Sequence, residues 1–101
     1  NTRLQSIASV AVILVARWLG ISALEWAVLI LTITIVWMAE FVNAAVEAAV
    51  NLSTMTYHPM AKVAKDVASA AVLLGVIASV VVGALILGPP LLEKLELNLT
   101  R

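Results

Sequence analysis

Val67 to Leu87 is a run of 21 residues without a charged side chain. At ~1.5 Å per residue a helix of that length spans ~32 Å, enough to cross a hydrocarbon core of ~30 Å. A stretch of this kind excludes most soluble folds. Two further apolar stretches precede it, Leu4 to Leu19 and Trp26 to Ala39. Hydrophobic residues make up 63% of the chain and charged residues 12%, about half the charged share of an ordinary soluble domain. The composition predicts an all-α integral membrane protein, a helical bundle built from three transmembrane helices. The formal net charge is zero, which gives no basis for a nucleic-acid partner. Cysteine is absent, so disulfides, thiolate metal sites and cysteine nucleophiles are excluded.

The spans are expected at about 4–19, 23–51 and 59–87. The first covers only ~24 Å, so it is expected to begin before residue 1. Gly20-Ile21-Ser22 breaks the helix, and Ser22 with Glu25 has capping-box spacing. Trp18 and Trp26 flank that turn, where indoles suit the headgroup level. Thr32 and Thr34 can bond back to their own helix. Residues 52–58 are expected to form a hairpin loop, with Pro59 in the first turn of the third helix. Gly75, Ser79 and Gly83 repeat a small residue every fourth position, a packing pattern. Gly88-Pro89-Pro90 is expected to end the helix. Residues 1–88 then form one transmembrane domain, and 89–101 an interfacial tail with leucines between charges. Asn98-Leu99-Thr100 matches a glycosylation sequon, a weak signal at this length.

Between Glu40 and Asp66 the pattern changes. Glu40, Asn43, Glu47 and Asn51 stay within roughly 60° of one another at ~100° per residue, so they form one polar stripe. Lys62, Lys65 and Asp66 supply a second cluster beyond the hairpin. Ionisable groups in a membrane span are costly and mark function by default. Carboxylates near a membrane face can bind a hard cation through oxygen. A Lys-Asp pair beside them can hold phosphate oxygens. These are the parts of a phosphoryl-transfer site. Spacing alone leaves other readings open. A Glu-Asn-Glu stripe also suits an interhelical hydrogen-bond network that fixes oligomer register, or a proton or ion pathway. Lys62 and Lys65 at a span end also suit snorkelling to lipid phosphates. His58 also suits an exposed loop residue.

Glu40-x-x-Asn43-x-x-x-Glu47, followed by His58-Pro59-x-Ala61-Lys62-x-Ala64-Lys65-Asp66-x-x-x-Ala70-Ala71-Val72, resembles the signature of the small integral-membrane prokaryotic diacylglycerol kinase family. The Tyr57-His58-Pro59 form is closer to its undecaprenol kinase branch. The resemblance covers about residues 1–87. It implies a lipid kinase that transfers the γ-phosphate of ATP, with Mg2+, to the hydroxyl of a membrane lipid, diacylglycerol or undecaprenol. It further implies a homotrimer with active sites between subunits, in the bacterial cytoplasmic (inner) membrane with the site facing the cytoplasm. By position Glu40 matches the general base, Glu47 a magnesium-binding carboxylate, and Asn43, Lys65 and Asp66 the nucleotide-phosphate site.

The sequence also departs from the family pattern. Asn51 stands where the family usually has Asp, and Gln5 replaces the usual His or Glu. The family's N-terminal surface helix contributes a further magnesium-binding acid. That helix is expected to be missing here, its acid falling just before residue 1. These departures motivate an alternative: a catalytically degenerate member serving as a structural transmembrane subunit of a larger membrane complex.

Overall fold

The computed structural model of the chain describes residues 2–53 and 58–99. Three helices account for nearly all of them: α1 (Thr2–Leu19), α2 (Ala23–Ser53) and α3 (Pro59–Leu99). Each is long and apolar enough to cross a membrane. The expected all-α, three-span architecture is therefore the observed one.

Local chemistry sets the first turn. Gly20 adopts φ +70°, a left-handed conformation that costs glycine little, and its N–H returns to the Ala16 carbonyl at 3.0 Å. The expected capping box is reciprocal: Ser22 N–H donates to Glu25 Oε1 at 3.1 Å, and Glu25 N–H donates to Ser22 Oγ at 3.2 Å. At the start of α3, His58 caps the helix. Its Nδ1 accepts the Met60 N–H at 3.1 Å, and its carbonyl accepts from Ala61 at 3.0 Å. Pro59 occupies the first helical position, where its missing N–H costs nothing. Of the expected hairpin, Leu52 and Ser53 belong to α2, and 54–57, with Tyr57, lie outside the described residues. So does Thr100 of the sequon.

The helix does not stop at Gly88-Pro89-Pro90. It continues through both prolines to Leu99. Neither proline has an N–H, so the carbonyls of Leu85 and Ile86 lose their helical donors. A contact distant in sequence offsets that loss. The Lys94 ammonium donates to the Trp18 carbonyl at 2.7 Å and sits 4.5 Å from the centroid of the Trp18 ring. Trp18 lies in the last turn of α1, where carbonyls have no intrahelical partner and a cation meets the negative end of the helix dipole. The extension of α3 thus caps α1. Its 41 residues span ~62 Å, close to the 65 Å longest dimension of the molecule.

Packing is sparse. Ala16, Leu29, Val36 and Ile86 are the apolar side chains buried among the described residues. Three of them cluster near the α1–α2 turn with Trp26, Val82 and Leu87 against them. Both α1 and α2 pack on α3. Gly75 lets α2 approach: a Cβ there would meet Val36 Cγ2 at 3.8 Å. Most other large apolar side chains face outward, as lipid-facing or copy-facing surface does. Three helices of this length and apolarity are the architecture of a multi-pass membrane protein.

Replacing Lys94 by Met removes the carbonyl contact and the cation–ring contact together. The expected loss is about 1–2 kcal/mol of stability, with Lys94→Arg retaining most of it. Thermal unfolding of the detergent-solubilised protein measures both.

Candidate functional site

The polar stripe divides. Glu40 is half-buried and lines a groove of about 570 Å³ bounded by all three helices. Its walls are mostly apolar, including Leu29, Val36 and Val80. Gln5 of α1 lies with Glu40 at one end, and Leu87 of α3 lines it near the small core. Ser9, Thr32 and Ser79 are its hydroxyls. The small residues expected for helix packing split as well. Gly75 meets Val36, whereas Ser79 and Gly83 line the groove, and a Cβ on Gly83 would meet nothing within 4 Å. The repeat therefore both closes one helix contact and keeps a cavity open.

Asn43 sits one turn beyond Glu40. Its Oδ1 is buried and has no hydrogen-bond partner among the described residues. A buried acceptor without a donor costs about 1–3 kcal/mol. It is a place where a donor from outside the chain would be stabilised. Glu47, one further turn along, is exposed. Asn51 faces α3: Lys65 Nζ donates to its Oδ1 at 2.8 Å. Lys62 and Asp66 form an exposed ion pair at 2.6 Å, one helical turn apart. The structure thus joins Lys65 to the stripe through Asn51, and ties Asp66 to its own helix. Glu40 and Glu47 have no cationic partner among the described residues. His58 is the α3 cap.

The donor set bears on the metal. Among the described residues no three His, Asp or Glu side chains gather into a cation cage. Magnesium, however, keeps several waters and is held by one or two carboxylates plus substrate phosphates. An exposed, unpaired Glu47 fits a magnesium carried by a nucleotide, and does not fit one caged by this chain alone.

Two contacts here were outside the reach of the sequence. Trp37 donates its indole N–H to Ser9 Oγ at 3.1 Å, across α2 and α1, while its ring lies 5.8 Å from Phe41. The only signal was a serine within an uncharged run. Lys94 on Trp18 is the other, signalled only by a lysine among leucines.

Residues 1–87 match the family described as prokaryotic diacylglycerol kinase. The diacylglycerol kinase of Synechocystis sp. is 46% identical over 94 residues, 92% of this chain and 54% of that protein. The undecaprenol kinase of Bacillus subtilis is 35% identical over 91 residues, 90% of this chain and 74% of that protein. The diacylglycerol kinase of Escherichia coli is 33% identical over 85 residues, 84% of this chain and 70% of that protein. The chain therefore spans about half the length of the Synechocystis relative and most of the other two.

Gly83→Leu should fill the groove without disturbing the helices, because the added side chain enters open space. The expected outcome is unchanged helicity by circular dichroism and a several-fold loss of uptake of a fluorescent lipid.

Proposed function

The chain belongs to the prokaryotic diacylglycerol kinase family, and we propose that it is a membrane-integral lipid kinase. It transfers the γ-phosphate of ATP to the hydroxyl of diacylglycerol or undecaprenol. The observation that carries this reading is the position of Glu40: a carboxylate without a cationic partner among the described residues, at the polar end of an apolar groove large enough for a lipid chain.

Glu40 acts as general base. A lipid hydroxyl at the end of the groove gives its proton to the Glu40 carboxylate as its oxygen bonds to the γ-phosphorus. The bond from that phosphorus to the bridging oxygen breaks, and ADP leaves with the electron pair. Apolar walls exclude water that would compete as acceptor. Glu47 would hold a magnesium carried by the nucleotide, which would supply charge neutralisation at the phosphates. Lys65 contributes a cation to the phosphates, and Asp66 lies beside it on α3. Asn43 offers its buried carbonyl oxygen to a hydroxyl or amino donor of the nucleotide. Asn51, in place of a carboxylate, holds Lys65 as a neutral acceptor and leaves its positive charge available to the phosphates.

We further propose a homotrimer in the bacterial cytoplasmic membrane, with the Glu47–Lys65 end facing the cytoplasm. The exposed Glu47 and the few buried side chains support a site completed by a neighbouring copy. Residues 1–88 form the kinase unit. Residues 89–101 form the interfacial tail, helical through Leu99.

In a phosphoryl-transfer assay with labelled ATP, magnesium and either lipid, Glu40→Gln should lower turnover by at least about a hundredfold while ATP still binds. Glu47→Gln should instead raise the Kd for MgATP. Wild-type turnover in both variants would remove the stripe from the mechanism.

A further inference from the structure

Three hydroxyls line the groove, and two are already used as donors. Thr32 Oγ1 donates to the Val28 carbonyl at 2.7 Å, and Ser79 Oγ donates to the Val76 carbonyl at 2.7 Å. This is the usual way a hydroxyl on an apolar helix satisfies itself. Ser9 differs. Its Oγ accepts the Trp37 indole N–H at 3.1 Å, and its own O–H makes no hydrogen bond among the described residues. A serine hydroxyl carries one donor as well as its acceptor lone pairs. The indole holds the oxygen at the groove wall, and the donor is left available to whatever lies in the groove.

The depth of Ser9 is informative. It follows Gln5, which shares the polar end of the groove with Glu40, by one turn of α1. Its partner Trp37 precedes Glu40 by about one turn of α2. Ser9 therefore lies ~5–6 Å farther into the groove than Glu40. A polyprenol has only hydrocarbon at that depth. A glycerolipid with its free hydroxyl at Glu40 has its ester carbonyls there, a few bonds from the hydroxyl.

We propose that Ser9 is a specificity-determining residue, whose hydroxyl donates to an ester carbonyl of a glycerolipid in the groove and selects ester-linked acceptors over polyprenols. This rests on the reading of the groove as the lipid acceptor site. In hydrocarbon neither the Ser9 donor nor an ester carbonyl has water to turn to, so pairing them favours the ester lipid. Trp37 positions Ser9 and does not touch the lipid in this assignment.

The test uses the full chain in nanodiscs with labelled ATP and three acceptors: a diacylglycerol, its dialkyl ether analogue and undecaprenol. The ether analogue keeps the hydroxyl and the tails and lacks only the carbonyls. Wild type should favour ester over ether by about five- to tenfold in kcat/KM, the size of one hydrogen bond. Ser9→Ala should bring that ratio near one by slowing the ester alone, Ser9→Thr should keep it, and KM for ATP should not move. A ratio near one in wild type, equal slowing of ester and ether in Ser9→Ala, or undecaprenol used as well as the ester overturns the role of Ser9 and leaves the kinase reading intact. A binding measurement separates the two. In a Trp18→Phe, Trp26→Phe background, the ester lipid should change Trp37 emission more than the ether. No response to any lipid, with no turnover, overturns the reading of the groove and this proposal with it.

Discussion

A polar atom inside a bilayer has no water to satisfy it, so each one must find a partner within the protein or in what the protein binds. Most of this structure follows from that constraint. Thr32, Thr34 and Ser79 return their hydroxyls to their own helices. The start of α2 is closed by Ser22 and Glu25 on each other's backbone. The end of α1 is closed by Gly20 and, from the far end of the chain, by Lys94. Against this background the exceptions stand out. The Glu40 carboxylate in the groove, the Asn43 carbonyl oxygen and the donor side of the Ser9 hydroxyl lack partners among the described residues, and they lie at one end of the bundle. The atoms left open are those that the proposed function and the role proposed for Ser9 assign to ligands.

The apolar side chains serve a second purpose. Four buried residues among those described make a thin core. Helices in lipid gain little by hiding leucine from leucine-like tails, so close approach depends on small residues and a few polar ties. Gly75 against Val36 supplies one approach, and Trp37 to Ser9 supplies one tie. Between them Gly83 and Ser79 leave space unfilled, and a groove results. A membrane protein can hold such a cavity open cheaply, because its alternative filling is lipid.

How much of this was legible in the sequence depended on range. Features decided within one helical turn could be read directly: the capping box at Ser22, Pro59 at the first turn of α3 and the back-bonded threonines. The three spans were legible too, since length and hydropathy alone specify them. The end of α3 was not. Gly88-Pro89-Pro90 is a local stop signal, overridden by a lysine that docks 76 residues away in sequence. The stripe had the same limit. Spacing put Glu40, Asn43, Glu47 and Asn51 on one face, but it could not say that Glu40 would meet a groove, Asn51 a lysine and Glu47 open space. Ser9 was invisible for that reason, because its meaning depends on Trp37 from another helix. The roles of these residues came from resemblance, not from spacing.

One consequence of the long third helix concerns the bilayer itself. Lys65 ties α3 to α2 through Asn51, and Lys94 ties it to α1 through Trp18. These lysines are 29 positions apart on one unbroken helix, ~43 Å along its axis. That matches a bilayer measured through its headgroups, about 40–45 Å. A helix anchored at both ends cannot slide to meet a thinner membrane. A membrane thinner than that is met by tilting the helix or by thickening the bilayer around it. α3 is thus a ruler whose two lysine ties stand about one bilayer apart.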